Sequence, residues 1–184
     1  MRTRNAFFAL TRSGGFSMVE LMAVIAVGVI LLGIGIPSFY ALIQRQRITT
    51  AVNDFFVAIN LARSEAIRRG TRVDLVPAGD GRDWAKGWLV FVDENGNQRP
   101  EAGEEIIFMH GPVPSGISVQ ANFTDSTVQY LAYTGSGRTR TNASSQAPQS
   151  GTLTFLTDGQ VRQIKLNFLG RARVCNPAVD KNTC

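Results

Sequence analysis

The sequence predicts an α+β chain, a long N-terminal helix followed by a β-rich domain. Three observations lead there. Residues 21–40 form a run of 20 residues without a formal charge. Apolar residues then recur at alternating steps of four and three as far as Ala66, the repeat of one helical face. After Gly70 the repeat becomes that of strands, punctuated by turn dipeptides such as Asn95-Gly96 and Asp158-Gly159.

The chain begins with a leader that carries Arg2, Arg4 and Arg12, ahead of Gly14-Gly15-Phe16-Ser17-Met18-Val19-Glu20-Leu21. An ordinary secretory signal places its small-residue cleavage site after the apolar core. Here the available site, Gly15|Phe16, comes before it. Cutting there removes residues 1–15 and leaves the apolar segment, residues 16–43, on the mature protein. That order of parts suits a subunit drawn from a membrane and built into a filament. A helix of 20 residues spans roughly 30 Å, the thickness of a bilayer core. The basic leader predicts a cytoplasmic N-terminus and an exported remainder, residues 44–184. Arg45 and Arg47 beyond the run weaken that asymmetry. Gly28, Gly33 and Gly35 loosen the helix, and Pro37 predicts a kink.

Glu20 is the acid at the head of this segment. A carboxylate costs roughly 2–3 kcal/mol at the centre of a bilayer and less near an interface. One reading puts Glu20 at the headgroup level, solvated. The other gives it a cation: cleavage would free an α-amine on Phe16, four residues away, and an identical amine on each neighbouring subunit. A Glu20 to Phe16 pair would set axial register in a bundle of such helices.

Ile48, Val52, Phe55, Ile59, Ala62 and Ala66 mark an amphipathic helix from about Gln44 to Arg69, into which the membrane helix continues. Arg68 and Arg69 suit the negative end of its dipole, and Gly70 can supply the left-handed stop. Phe55 and Phe56 read as core. Candidate strands follow at residues 72–76, 87–92, 105–109, 117–122, 127–133, 152–156 and 161–169. Residues 134–151, rich in Gly, Ser, Thr and Asn, read as a long mobile loop carrying Arg138 and Arg140.

The formal net charge is +5, of which the leader's arginines supply three. What remains is uneven. Residues 93–105 carry net −4 and residues 161–184 net +4, so the C-terminal end predicts an anionic partner or a solvated basic surface. Cys175 and Cys184 predict a disulfide closing a small loop in an exported protein. No metal or cofactor is expected, since two thiols and a distant His110 do not make a zinc site. The Asp93–Asn97 stretch has Gln98 at position six, where a calcium loop needs glycine, and reads as a hairpin turn. His110 and Ser115-Gly116 have no nucleophile or base beside them, so an enzyme is not expected.

Gly15-Phe16-Ser17-Met18-Val19-Glu20-Leu21-Met22, followed by a helix with Pro37, resembles the N-terminal signature of type IV pilins and type II secretion pseudopilins. Trp84-Ala85-Lys86-Gly87-Trp88-Leu89-Val90-Phe91-Val92-Asp93, Asn95-Gly96, and Gly151-Thr152-Leu153-Thr154-Phe155 with Asp158-Gly159 resemble the FimT/GspH group of minor pilins and pseudopilins. The resemblance implies a pilin-like fold, in which the long helix packs on a mostly antiparallel β domain of two sheets. It implies a prepilin peptidase cutting after Gly15, N-methylation of Phe16, and a role for Glu20 in assembly with other pilin subunits. It also implies a single-pass inner-membrane precursor that joins a pilus at the bacterial cell surface.

Gly170-Arg171-Ala172-Arg173, before Cys175, resembles the GRxR motif of FimT-type minor pilins, which is implicated in binding DNA for uptake during natural transformation. Independently of the resemblance, Arg171 and Arg173 in an extended segment project to one side, roughly 6.6 Å apart. Each guanidinium can engage a phosphate oxygen, and Gly170 permits close approach of a backbone. Lys165, Lys181, Arg138 and Arg140 would extend the positive surface if folding brings them near. Such contacts are to phosphate and blind to base identity. The competing reading is a solvated strand end, or pairing with acids of a neighbouring subunit. A structural pilin or a GspH-like pseudopilin without DNA binding is the alternative function.

Overall fold

The computed structural model describes residues 15–144, 146–181 and 184. The leader arginines lie outside the described residues. A helix, α1, runs over Met18–Arg69, 52 residues. Ser17 caps it: its Oγ accepts the N–H of Glu20 at 3.2 Å, and its carbonyl accepts that of Leu21. Ser17 and Glu20 are spaced as a capping box, a signal the sequence carried in plain view. The chain divides into two compact units, Met1–Ala41 and Leu42–Cys184. In the first, the helical residues are exposed almost throughout and an 18-residue window reaches a mean hydropathy of 2.6. It is long and apolar enough to cross a membrane.

In the second unit the predicted helical face is the buried face. Ile48, Val52, Phe55, Ile59, Ala62 and Ala66 are all buried, joined by Ala51 and Ala58. Phe55 sits at the centre, edge-on to Trp84, Trp88 and Phe155 with ring centroids 5.1, 4.8 and 5.8 Å away. Such contacts add to the area that an aromatic ring buries. Phe56 packs against the same cluster from its margin. Gly70, at φ +68, takes the left-handed stop as its N–H reaches the Ala66 carbonyl at 2.9 Å.

The strands are β1 (Val73–Pro77), β2 (Trp88–Val92), β3 (Ile106–His110), β4 (Ser118–Phe123), β5 (Leu131–Tyr133), β6 (Thr139–Arg140), β7 (Gly151–Thr157), β8 (Gln160–Leu166) and β9 (Ala172–Cys175). They form two antiparallel sheets, in the orders β3-β2-β1-β5-β6 and β4-β7-β8-β9. One core joins the helix to inward residues of both sheets, among them Leu75, Trp88, Tyr133, Leu153 and Ile164. This is the α+β, two-sheet architecture expected.

Three details differ from the sequence reading. The stretch 127–133 is strand only from Leu131, because Asp125 takes the backbone and hydroxyl of Thr127 and the hydroxyl of Tyr130 into a local turn. The polar stretch 134–151 contains the short strand β6, so it is not one continuous loop. The strand begun at Val161 stops at Leu166, where Asn167 opens a turn. His110, which ends β3, stacks on Trp88 with centroids 4.1 Å apart and planes parallel within 1°. Its Nε2 stands 3.6 Å from Asp54 Oδ2.

Candidate nucleic-acid interface

The β8–β9 connection is built as a rigid turn. The Asn167 carbonyl accepts the Gly170 N–H at 2.9 Å, and its N–H donates to the Arg171 carbonyl at 3.1 Å. The Asn167 side chain accepts from both Leu169 and Arg171. Gly170 has φ +75 and is buried. Its carbonyl accepts the hydroxyl of fully buried Tyr133 at 2.9 Å. A Cβ at Gly170 would lie 2.9 Å from the Tyr133 ring and 3.1 Å from the Gly137 carbonyl. The glycine is therefore required by the protein's own packing. The sequence reading gave Gly170 to close approach of a ligand; the backbone that approaches it is that of Gly137–Thr139.

Beyond this turn Arg171 and Arg173 are both exposed, while Ala172 between them packs against the core. They thus face away from the core, as the two-residue period requires. Among the described residues no carboxylate pairs with either. Cys175 and Cys184 form a disulfide, with Cα atoms 5.6 Å apart. The Asp180 carboxylate accepts the Asn176 N–H inside that loop, at 2.8 Å.

The remaining predicted cations separate into groups. Lys165 lies directly across from Arg173 in the β8–β9 register, but its amine donates to the backbone oxygen of Cys184. It fastens the disulfide loop to the sheet. Arg138 is exposed on the β5–β6 turn, whose backbone abuts Gly170. Arg140 does not join them. It pairs in register with Ala132, so it faces the opposite side of its sheet from Tyr133 and Thr139. There it lines a separate cavity of about 370 Å³ with Arg72, Gly96 and Asn142. Lys181 is exposed on the disulfide loop.

The sequence reading missed two neighbours of the site. Phe168, at the apex of the β8–β9 turn, is 64 % exposed. Arg63 on α1 reaches the β5–β6 turn, its Nε 3.4 Å from where a Cβ on Gly137 would stand. Phe168 fell inside the candidate strand 161–169, which hid its place on a turn. Arg63 lies off the apolar face of α1, and nothing adjacent to it in sequence points to the tail.

A family model described as type II transport protein GspH matches residues 51–170, most of the second unit. The chain belongs to the GspH family. A curated relative, the pilin-like protein PilA1 of Thermus thermophilus, is 28% identical over 160 residues, covering 87% of this chain and 97% of the relative. Among solved structures, the type IV minor pilin FimU of Pseudomonas aeruginosa superposes with a TM-score of 0.58 at 18% identity. The match covers 73% of this chain and 92% of that one. The minor pseudopilin EpsH from the type 2 secretion system of Vibrio cholerae gives 0.51 at 13% identity, covering 71% and 98%. These superpositions show the shared fold. As a GspH-family member the protein is a pilin-like or pseudopilin subunit, and its N-terminal helix is long and apolar enough to cross a membrane.

Proposed function

We propose that this GspH-family protein is a minor type IV pilin that binds DNA, without base preference, for uptake in natural transformation. The observation that carries the reading is the pair Arg171 and Arg173, two exposed guanidiniums with no acid partner among the described residues. Arg171 stands on a turn locked by Asn167 and Tyr133, and Arg173 on β9, which the disulfide closes at Cys175. A preorganised turn lowers the ordering cost of binding, and forked guanidiniums suit phosphate oxygens. The protein acts by binding rather than by catalysis: the arginines capture the phosphate backbone, and retraction of the filament draws the DNA in.

The same reading takes the chain as a single-pass inner-membrane precursor. Prepilin peptidase cuts between Gly15 and Phe16, Phe16 is N-methylated, and Glu20 guides assembly with other pilin subunits. The deciding experiment measures binding of a random-sequence duplex to the full-length chain in non-ionic detergent over a salt series. Arg171→Ala/Arg173→Ala should weaken binding and shallow the slope of log affinity against log salt by about 0.9 for each lost phosphate contact. Unchanged affinity and slope in the double variant would sink the DNA assignment.

A second reading, an assembly pilin or a pseudopilin of type II secretion, is favoured by the family description and by the fold shared with EpsH. Loss of protein secretion in a deletion strain would favour it. Loss of transformation with secretion and piliation intact would favour DNA uptake.

A further inference from the structure

We infer that Arg63 of α1 is a third guanidinium of the same phosphate-binding site, so that the polyanion is held by helix and turns together; the inference rests on the DNA-binding reading above. Gly137 is the wall that Arg63 and the tail share. Gly137 has φ +72, and a Cβ there would fall 2.7 Å from Ile67 Cδ1 and 3.4 Å from Arg63 Nε. The Gly137 carbonyl in turn lies 3.1 Å from the Cβ position of Gly170, the residue before Arg171. Three segments distant in sequence therefore meet at one point: α1 with Arg63, the β5–β6 turn with Arg138, and the β8–β9 turn with Arg171.

Electrostatics join the same three segments. Burial pushes the Tyr133 hydroxyl up from its ordinary range, and the positive charge of Arg63 is what opposes it. That hydroxyl holds Gly170 in place. The field of Arg63 therefore reaches the hydrogen bond on which the tail turn hangs.

Arg63 is also left without an acid where acids are close at hand. Glu65, two residues on, is taken by Arg68 and Arg69, and Glu105 by Arg69. Among the described residues no carboxylate pairs with Arg63 or Arg138. Arg63 is half-buried, with its stem against the turn. A partly immobilised guanidinium loses less rotamer freedom when it takes up a ligand oxygen.

The test titrates full-length protein in non-ionic detergent with a random-sequence duplex, comparing wild type, Arg63→Gln and the Arg171→Ala/Arg173→Ala double variant. One lost phosphate contact removes about 0.9 from the salt slope, so Arg63→Gln should bind about eightfold more weakly at 0.1 M salt if affinities converge at 1 M. Wild-type affinity and slope in Arg63→Gln, beside a double variant that has lost binding, would overturn the role of Arg63 and leave the tail assignment standing. A double variant that binds like wild type would remove both. Arginine footprinting of the wild-type protein with phenylglyoxal needs no variant to fold. Duplex DNA at low salt should protect Arg63 together with Arg171, and an Arg63 still modified while Arg171 is protected would also overturn the inference.

Discussion

Two groups among the arginines of the second unit differ in what faces them. Arg68, Arg69 and Arg72 follow one another closely at the end of α1 and the entry to β1, and each has acids in contact. Arg68 and Arg69 share Glu65, Arg69 also reaches Glu105 at 2.6 Å, and Arg72 reaches Asp74 at 2.7 Å and Asp93 at 3.3 Å. Arg63, Arg138, Arg171 and Arg173 have none among the described residues. The acids themselves are not scarce. In the 93–105 loop, Asp93 accepts three backbone N–H groups, Glu104 two, and Glu101 takes the side chains of Asn95 and Asn97. Those carboxylates are thus engaged within their own loop. One set of cations holds the protein together; the other makes no ion pair within it among the described residues.

The comparison breaks most sharply at Arg72. Its guanidinium is the cation facing two carboxylates whose side chains are fully buried. Removing one member of a buried pair costs roughly 3–5 kcal/mol, and the quarter exposure of Arg72 favours the lower end. Arg72→Ala should therefore lower the melting temperature by many degrees, measurable by circular dichroism. Arg171→Ala/Arg173→Ala should leave it nearly unmoved, as surface substitutions do. A stable Arg72→Ala, or a double variant that unfolds, would erase the distinction between the two sets.

Gly170→Ala tests the boundary between them, since Gly170 belongs to the fold and Arg171 to the surface. An alanine there must hold a positive φ and place its Cβ 2.9 Å from the Tyr133 ring, under the limit that real Cβ contacts respect. Strain of this kind costs on the order of 1–3 kcal/mol. The expected outcome is a modest loss of stability together with weakened DNA binding, although both arginines remain. Unchanged melting and binding would mean that the turn does not position the site.

Much of this was legible before any coordinates. The helix face from Ile48 to Ala66 could be read because a repeat of 3.6 has no competing explanation over that length. The disulfide could be read because there are only two cysteines. What escaped was parity and neighbourhood. Arg138 and Arg140 looked equivalent in a polar stretch, and only the register of β6 against β5 puts Arg140 on the other face. Arg63 could not be assigned because its relevance depends on Gly137, 74 residues further on, packing against both α1 and Gly170. The buried ionic trio did leave a trace: Arg72 and Asp74 are two apart in a candidate strand, and so share one face. The sequence reading passed over it.

A finer test of the paired set comes from Asp74. Two carboxylates face one guanidinium there, and burial pushes Asp74 up to about 8, with Arg72 opposing and Asp93 adding to the rise. A carboxyl whose pKa is raised on folding holds its proton more tightly in the native state. Its contribution is full below the unfolded value near 4 and declines as pH rises toward 8. Wild-type protein should accordingly lose stability between about pH 5 and pH 8. Asp74→Asn imitates the protonated carboxyl and keeps the acceptor for Arg72, so its melting temperature should fall less over that interval, with the two proteins close to each other at pH 5. Affinity for DNA measured at constant salt should follow no such profile while the protein remains folded. A wild-type melting temperature that rises from pH 5 to pH 8 would mean that Asp74 is held as a carboxylate by Arg72. The buried trio would then be an ordinary ion pair with a second acid beside it, and the excess negative charge would have to be balanced elsewhere.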